Sequence, residues 1–463
     1  MIPALANDDE RLPEGKNLHM NSIKIPLDLI LERMAEDTEK AQKRVSKASD
    51  VLLGELNYAL GSTPYEIVYE EDRVRLKHYI RNENAENKLK APLLVVYALI
   101  NRETMLDLQP DRSVVKTFLQ EGIDLYMVDW GYPKRKDSFL TIDDHVNGYL
   151  DNMVDYIREK HNVPKINLMG ICMGGSFCVM YSALHPEKIK NLVTTVTPSS
   201  FDHDKGLLHV WMKDVDVDRM IRTFGNIPGD LMNFGFLLLN PARLMIDKYV
   251  GFLENMDNRD FVENFVRMER WIFDSPDVPG ETFRQFINDC YKNNLLIQSK
   301  MHLNGKRVDL SRLTMPLLNF YGEYDHLVPP QACNQLTKAV GSKDTEDICL
   351  ETGHIGIYVS SKFQRQFAPK IARWLKDRDR EDKPAMTAAK EEHPAVRAEK
   401  SKSQFELPVP KTAASKKSGK NTKEVKKTEK TEKPELEENE MPQTSSSSGK
   451  KRMSLIQRIS EAI

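Results

Sequence analysis

The stretch KINLMGICMGGSFCVMYSAL, residues Lys165–Leu184, decides the fold. It opens with the apolar run Ile166–Met169, which is typical of a buried strand. The turn Gly170–Gly175 follows, and apolar residues then recur at roughly helical spacing. A strand, a G-x-C-x-G turn and a helix are the context of a nucleophile elbow, with Cys172 where hydrolases usually carry serine. A buried cysteine beside a glycine-rich turn is the alternative, but the matching flanks favour the elbow.

The two glycines of this turn have a physical explanation. An elbow nucleophile sits on a strained strand-to-helix turn that lifts its side chain clear of the sheet. The residues two positions on either side, Gly170 and Gly174, are then expected to pass too close to neighbouring backbone to carry a Cβ. The helix that follows points its N-terminus at the sulfur of Cys172, which favours a thiolate.

Composition limits the classes of protein that remain. The chain has 463 residues and a formal net charge of −2, enough for one large α/β domain with extensions or for two ordinary domains. Near-neutral charge gives no reason to expect nucleic acid as a partner. Five scattered cysteines without CxxC spacing indicate a reducing cytosol, with no disulfide framework or zinc site. Neither a signal peptide nor a transmembrane helix is expected.

Apolar strands and amphipathic helices alternate along much of the chain. A hairpin is predicted around Glu70–Asp72. Buried strands are predicted at Pro92–Ile100, Ile123–Val128, Ile166–Met169, Leu192–Val196, Pro316–Tyr321 and Asp347–Glu351. Helices are predicted at Arg112–Gln120, Asp143–Glu159 and Phe363–Lys376. Together with the elbow, this alternation predicts an α/β-hydrolase fold with a mostly parallel, doubly wound sheet.

The alternation stops within residues 201–305, where several helical patterns and no clear strand occur. This predicts a helical cap inserted over the carboxyl ends of the strands, where α/β enzymes bind ligands. A plain helical subdomain with its own core is the alternative. The cap belongs to a catalytic domain predicted at residues 66–377.

The two ends of the chain differ from this domain. Residues 1–20 are expected to be disordered, and residues 21–65 are expected to be helical. The thin apolar stripe Ile30–Leu56 suits either a partner or the chain's own domain. Residues 378–463 are too polar to fold alone. Within them Met453–Ile463 carries one apolar helical face, so it is either a frayed tail or a short docking helix.

An elbow nucleophile needs a base and an orienting acid. In this fold class they follow in the order nucleophile, acid, histidine, each at the end of a strand. Asp325 follows PLLNFYG and His354 follows DICLETG. Either residue alone is an ordinary turn residue, but together they predict a triad with Cys172. The backbone N–H groups of Met173 and of the loop near Ile100 are predicted to bind the oxyanion. No metal or cofactor is expected.

The cysteine itself indicates a type of chemistry. A thiolate that attacks a thioester exchanges one thioester for another at almost no free-energy cost, so the acyl group stays activated for transfer to an alcohol. Cys172 therefore favours acyl transfer from a thioester such as a coenzyme A ester over simple hydrolysis. A cysteine hydrolase on this fold is also chemically reasonable.

Several stretches together resemble the poly(3-hydroxyalkanoate) synthases, which polymerise 3-hydroxyacyl-CoA into storage polyester. They are PLLVVYALINRETMLDLQP, DLYMVDWGYP, GICMGG, NFYGEYDHLVPP and TGHIGIYVS, with Trp374 in the closing helix. The resemblance spans about residues 65–377. The short N-terminal region is similar to class III, or else class IV, and the long tail is similar to archaeal members. The resemblance implies 3-hydroxybutyryl-CoA as the substrate.

The resemblance also implies roles and partners. Cys172 would carry the acyl group and the growing chain, and His354 would deprotonate it. Asp325 would act on the 3-hydroxyl of the substrate, directly or through His354. A second synthase subunit is implied, with a homodimer left open, as is a cytoplasmic location on polyester granules.

Two rival functions remain at this point. A cysteine hydrolase or polyester depolymerase of the same fold would release free 3-hydroxy acid. A catalytically inactive scaffold that coats granules would need none of Cys172, Asp325 and His354, and the presence of all three argues against it.

Overall fold

The computed structural model describes residues 59–80, 88–109, 111–202 and 206–379. The predictions for residues 1–20, for most of the helical region 21–65 and for the tail from residue 380 onward lie outside these residues. Hydrogen bonds to the domain continue two residues past the predicted boundary at residue 377, since Arg378 donates to Asp344 and Asp379 accepts from Lys190.

The centre of the molecule is an eight-stranded sheet with the order β1-β2-β4-β3-β5-β6-β9-β10. The strands are β1 Tyr65–Glu71, β2 Val74–Tyr79, β3 Leu93–Val96, β4 Leu125–Asp129, β5 Ile166–Ile171, β6 Ile189–Thr195, β9 Leu317–Gly322 and β10 Thr345–Leu350. A separate small hairpin pairs β7 His302–Leu303 with β8 Lys306–Arg307. The predicted hairpin β1–β2 is antiparallel, and β2 runs antiparallel to β4. The remaining neighbours are parallel, which confirms the mostly parallel α/β sheet.

The central strands are apolar because helices cover both faces of the sheet. Every residue of β3, β4 and β5 is buried. The predicted strand Pro92–Ile100 is wrong in its second half, since β3 ends at Val96. Tyr97 leaves the ladder but stays buried, and its carbonyl oxygen accepts a hydrogen bond from Trp130 Nε1 at 2.9 Å. An apolar run therefore predicts burial here better than it predicts strand length.

Helices alternate with the strands along the chain and pack against the sheet. The α-helices are Val114–Gln120, Asp151–His161, Met173–Leu184, Leu207–Asp214, Val217–Phe224, Gly229–Leu239, Lys248–Glu254, Arg259–Phe273, Gly280–Gln285, Pro330–Cys333, Leu336–Ala339, Gly356–Val359 and Ser361–Asp377. Wider π-helical turns are Asp144–Leu150, Ala242–Asp247 and Phe286–Lys292, and 3₁₀ turns are Glu103–Asp107, Arg135–Phe139, Pro186–Lys188 and Leu310–Arg312.

Local sequence signals set several helix boundaries. The predicted helix Arg112–Gln120 begins two residues later, because the Ser113 side chain caps it by accepting the N–H of Lys116 at 2.9 Å. The predicted helix Asp143–Glu159 is a π-helical turn followed by an α-helix that ends at Asn162, whose backbone is left-handed. Asparagine is one of the residues that adopt this ending at low cost.

Within residues 201–305 the described chain is mostly helical. Its strand pairing consists of a bridge between Ile227 and Val278 and of the strand β7, which pairs with β8. This segment, here called the cap, contributes side chains to the space in front of Cys172. None of the helices in the described residues is long and apolar enough to cross a membrane.

Candidate active site

Cys172 lies in the turn between β5 and the helix Met173–Leu184. Its φ of 52° and ψ of −125° are rare for a residue with a side chain and cost on the order of 1–3 kcal/mol. The N–H of Cys172 donates to the carbonyl oxygen of Thr195 at 3.0 Å, and its own carbonyl accepts the N–H of Gly175 at 2.9 Å. These bonds hold the strained elbow in place.

The glycines around Cys172 are required by close backbone approach. A Cβ on Gly174 would overlap the carbonyl oxygen of Val96, at the end of β3. A Cβ on Gly170 would overlap Gly175. The spacing of G-x-C-x-G therefore has the cause expected from the sequence, namely the tight packing of the elbow against its neighbours.

The structure brings Asp325 and His354 together from the ends of β9 and β10. Nδ1–H of His354 donates to Oδ2 of Asp325 at 2.7 Å. Oδ1 of Asp325 accepts the N–H groups of Leu327 and Val328, each at 2.9 Å. The carboxylate is buried and fully occupied, so its orientation is fixed and it fixes the imidazole in turn.

The charge state of His354 follows from its two neighbours. Burial disfavours its protonated form, but the negative charge of Asp325 outweighs burial. With the charge on Cys172 and hydrogen bonds to both side chains, the pKa of His354 rises from 6.5 to about 10. His354 is therefore a cation at neutral pH, held between the sulfur of Cys172 and the carboxylate of Asp325.

The two predicted oxyanion donors lie beside the sulfur. Ile100 and Met173 line the same cavity as Cys172. Among the described residues, neither of their N–H groups takes part in the hydrogen bonds of turns and loops. Met173 is the first residue of its helix, where N–H groups have no partner within the helix. Both amides are thus available to a developing negative charge.

The cavity in front of Cys172 is small and apolar. It has a volume of about 60 Å³, far below the roughly 300–1,000 Å³ of ordinary ligand pockets. The domain body contributes Leu327 and Val328. The cap contributes Leu208, Met212, Met232, Phe236, Phe283, Phe286, Ile287 and Tyr291. The cap therefore covers Cys172 in this structure.

Sequence reasoning missed two features of this site. The first is the set of aromatic residues Phe283, Phe286 and Tyr291, which line the cavity in front of Cys172. Their near-helical spacing is the sequence signal that they share one face. The second feature is a cluster of buried charges behind the oxyanion loop. The oxyanion loop is defined as residues 97–102, and the cluster consists of Lys77, Glu103 and Asp129. In it Lys77 Nζ lies 2.5 Å from Glu103 Oε1 and 3.2 Å from Asp129 Oδ2. Charged residues flanking strands usually indicate solvated turns, so the sequence carries little signal for this cluster.

Metal binding has no support in the described ranges. They contain no group of three or more histidine, cysteine, aspartate and glutamate side chains arranged to hold an ion. All five cysteines are free.

Fold and site together define a class of protein. A cysteine on a nucleophile elbow, with an acid and a histidine from later strands, is the arrangement of an α/β-hydrolase-fold enzyme that works through a covalent acyl group. A family model described as alpha/beta hydrolase fold matches residues 91–360. A second, described as Poly-beta-hydroxybutyrate polymerase (PhaC) N-terminus, matches residues 19–118.

Curated relatives narrow the class to one family. Poly(3-hydroxyalkanoate) polymerase subunit PhaC of Allochromatium vinosum is 46% identical over 353 residues, covering 76% of this chain and 99% of the relative. The protein of that name from Haloferax mediterranei is 44% identical, covering 78% of this chain and 73% of the relative. The one from Synechocystis is 43% identical, covering 75% and 93%. The chain belongs to the poly(3-hydroxyalkanoate) polymerase family and is an enzyme of the acyltransferase type.

Proposed function

We propose that this chain polymerises (R)-3-hydroxyacyl-CoA into polyester through a thioester on Cys172, with release of coenzyme A and without a cofactor. The observation that carries the proposal is the placement of Cys172 on a strained elbow against a protonated His354. The resemblance to the polyester synthases implies 3-hydroxybutyryl-CoA, which is the substrate we favour.

The first step would load the enzyme. The sulfur of Cys172 attacks the thioester carbonyl, and the carbonyl oxygen becomes an oxyanion bound by the N–H groups of Met173 and Ile100. Collapse of this intermediate breaks the bond to the coenzyme A sulfur, which leaves with the proton held by His354. The product is an acyl thioester on Cys172 and a neutral imidazole.

The second step would extend the chain. The neutral His354 takes the proton from a 3-hydroxyl group, whose oxygen attacks a neighbouring thioester. The ester bond forms as the carbon–sulfur bond of that thioester breaks, and the sulfur leaves as a thiolate beside the protonated His354. Asp325 cannot easily contact the hydroxyl itself, since its side chain is 0% exposed and both oxygens already accept hydrogen bonds. Its burial supports action through His354, by stabilising the imidazolium.

Access to Cys172 would require movement of the cap. The cavity is too small to admit the substrate, and the cap supplies most of its lining. A second subunit that binds the open arrangement more tightly would shift the population towards it, by no more than its differential affinity for the two states. The resemblance to two-subunit synthases and the stripe Ile30–Leu56 support such a partner.

Polar substitutions at Ile30, Met34 and Val45 should then weaken complex formation without unfolding the domain. The purified chain should be poorly active alone and strongly activated by the second subunit. Full specific activity from a monodisperse preparation of the chain alone, with no lag, would overturn the two-subunit proposal.

We also propose association with cytoplasmic polyester granules, and exposed apolar side chains on the cap support contact with a hydrophobic surface. Phe234, Ile246 and Leu253 are 55%, 62% and 60% exposed. Phe234→Ser combined with Leu253→Ser should reduce sedimentation of the protein with poly(3-hydroxybutyrate) particles. Phe139→Ser is the matched control, because Phe139 is 82% exposed but lies outside the cap. Equal losses in both variants would remove the support for a specific face.

The function is tested by incubation with 3-hydroxybutyryl-CoA, with and without a candidate second subunit. Coenzyme A, insoluble polymer and free 3-hydroxybutyrate are measured in the same reaction. Polymer in proportion to coenzyme A supports the proposal. Free acid in place of polymer would indicate the cysteine hydrolase, and no coenzyme A release under any condition would indicate the inactive scaffold.

A further inference from the structure

Hydrogen bonds join the cap to the oxyanion loop near the end of the cap helix Arg259–Phe273. Nδ2 of Asn101 donates to Oγ of Ser275 at 2.6 Å and lies 3.4 Å from the carbonyl oxygen of Ile272. Nε1 of Trp271 donates to the carbonyl oxygen of Arg102 at 2.8 Å. Two consecutive residues of the loop thus contact the end of one cap helix, Arg259–Phe273, and the turn after it.

A second cap helix reaches the same acceptors. Nδ2 of Asn233 lies 2.6 Å from the carbonyl oxygen of Ile272 and 3.0 Å from Oγ of Ser275. Asn233 belongs to the helix Gly229–Leu239, which also places Met232 against the cavity in front of Cys172. The helix that covers the nucleophile is therefore joined, through two shared acceptors, to Asn101.

The other side of the oxyanion loop is fixed to the body of the domain. Arg102 Nη2 donates to both oxygens of Asp129, at 3.1 and 3.2 Å, and Arg102 Nε donates to Glu103 Oε2 at 3.1 Å. These side chains are largely buried, so the ion pairs are well shielded from water. The body thus holds the side chain of Arg102, whereas the cap holds the carbonyl oxygen of Arg102 and the side chain of Asn101.

The backbone of Asn101 makes this contact relevant to catalysis. Its φ is 60°, a left-handed conformation that asparagine adopts more readily than most residues but that still needs support from its surroundings. Residue 101 follows Ile100, the predicted oxyanion donor, directly. Ile100 is covalently joined to this residue, so a relaxation of the Asn101 backbone would let Ile100 shift within the loop and carry its N–H away from the oxyanion position.

We propose that Asn101 is a positioning residue that aligns the Ile100 amide with the oxyanion only while the cap is closed. The inference rests on the proposed function. Opening of the cap admits the substrate and breaks the bonds from Asn101 to Ser275 and Ile272, and return of the cap over the bound acyl group restores them. Attack on the thioester is then coupled to exclusion of water, which protects the acyl thioester on Cys172 from hydrolysis.

The test variant is Asn101→Gly, because glycine keeps the left-handed backbone accessible while removing the side chain. The N–H of Ile100 remains but is no longer held in position, so we expect kcat for coenzyme A release to fall by about tenfold or more. The KM should change by less than about threefold, since the side chain does not line the acyl cavity. The fraction of acyl groups released as free acid should rise.

A second variant and a control separate positioning from general destabilisation. Ser275→Ala removes the acceptor from the cap side and should shift the ratio of free acid to polymer in the same direction. Tyr249→Phe is the control, because Tyr249 donates to Glu269 at 2.7 Å within the cap and has no part in the contact with the loop. A partly unfolded preparation would lower the rate and leave the ratio unchanged.

The outcomes are distinct. An unchanged ratio and kcat in folded Asn101→Gly, or an equal shift in Tyr249→Phe, would overturn the inference. Absence of polymer and coenzyme A release from the wild-type enzyme would instead overturn the proposed function. If the wild-type enzyme proves to be a hydrolase, the loss of kcat in Asn101→Gly and Ser275→Ala still tests the positioning role.

Discussion

Oδ2 of Asp325 lies 2.7 Å from Nδ1 of His354, while Oδ1 of the same carboxylate is held by two backbone N–H groups at 2.9 Å. The carboxylate is thus the orienting group of the pair, and the imidazole is the group that faces the sulfur. Substitution of Asp325 and substitution of His354 should therefore affect different steps of catalysis.

His354→Ala should abolish coenzyme A release even in the first turnover, because the imidazole moves the proton in both steps. Asp325→Asn should still allow slow acylation of Cys172 and should block elongation, because the imidazolium loses its counter-charge. Rapid-quench measurement of coenzyme A in the first turnover separates the two variants. A burst that is absent from both would contradict this division of roles.

Cys172→Ser should fold normally and lose nearly all activity, since a hydroxyl must be activated far more strongly than a thiol to attack a thioester. Circular dichroism and the melting temperature check the fold, and coenzyme A release measures the activity. Turnover above about a tenth of the wild-type value would place the nucleophile elsewhere.

The raised pKa of His354 predicts a specific pH dependence of stability. The folded-state pKa of about 10 exceeds the ordinary value of 6.5. The stabilising contribution is therefore complete below about pH 6.5 and declines above it, and it is lost once the pH passes about 10. The difference in melting temperature between the wild-type protein and His354→Gln should shrink over this interval. A difference that stays constant from pH 6 to pH 10 would contradict the raised pKa.

The end of the domain can be located by truncation. Arg378 Nη2 lies 2.7 Å from Asp344 Oδ1, and Asp379 lies 3.0 Å from Lys190 Nζ. Removal of residues 381–463 should leave the melting temperature unchanged, because that segment is too polar to add to the core. Removal of residues 378–463 should lower it by roughly 2–4 °C. A large drop in the melting temperature after removal of residues 381–463 would mean that the tail packs on the domain.

The sheet and the triad were predictable because their signals are local. Each buried strand is a continuous apolar run, and Cys172, Asp325 and His354 each follow such a run directly. The end of β3 was not predictable, since Tyr97 to Leu99 stay apolar and buried after the ladder stops. An apolar run in the sequence predicts which residues are buried, but it does not predict which of them pair in the sheet.

The contact between the cap and the oxyanion loop was not predictable for a different reason. Asn101 is more than a hundred residues away from Asn233 and Ser275 along the chain, and each of the three is an ordinary turn or helix residue in its own segment. Only the tertiary structure brings them to shared acceptors. The same applies to the cluster of Lys77, Glu103 and Asp129, whose charges would normally be assigned to solvent.

The most direct test of the central claim is to identify the atom that carries the acyl group. The enzyme is mixed with 3-hydroxybutyryl-CoA, quenched in acid after about one turnover, digested and mapped by mass spectrometry. We expect 3-hydroxybutyryl groups, single or in short chains, on the peptide that contains Cys172. Hydroxylamine should remove these groups, and they should be absent from Cys172→Ser. Coenzyme A release with an unmodified Cys172 peptide, or with the label on another residue, would contradict the central claim.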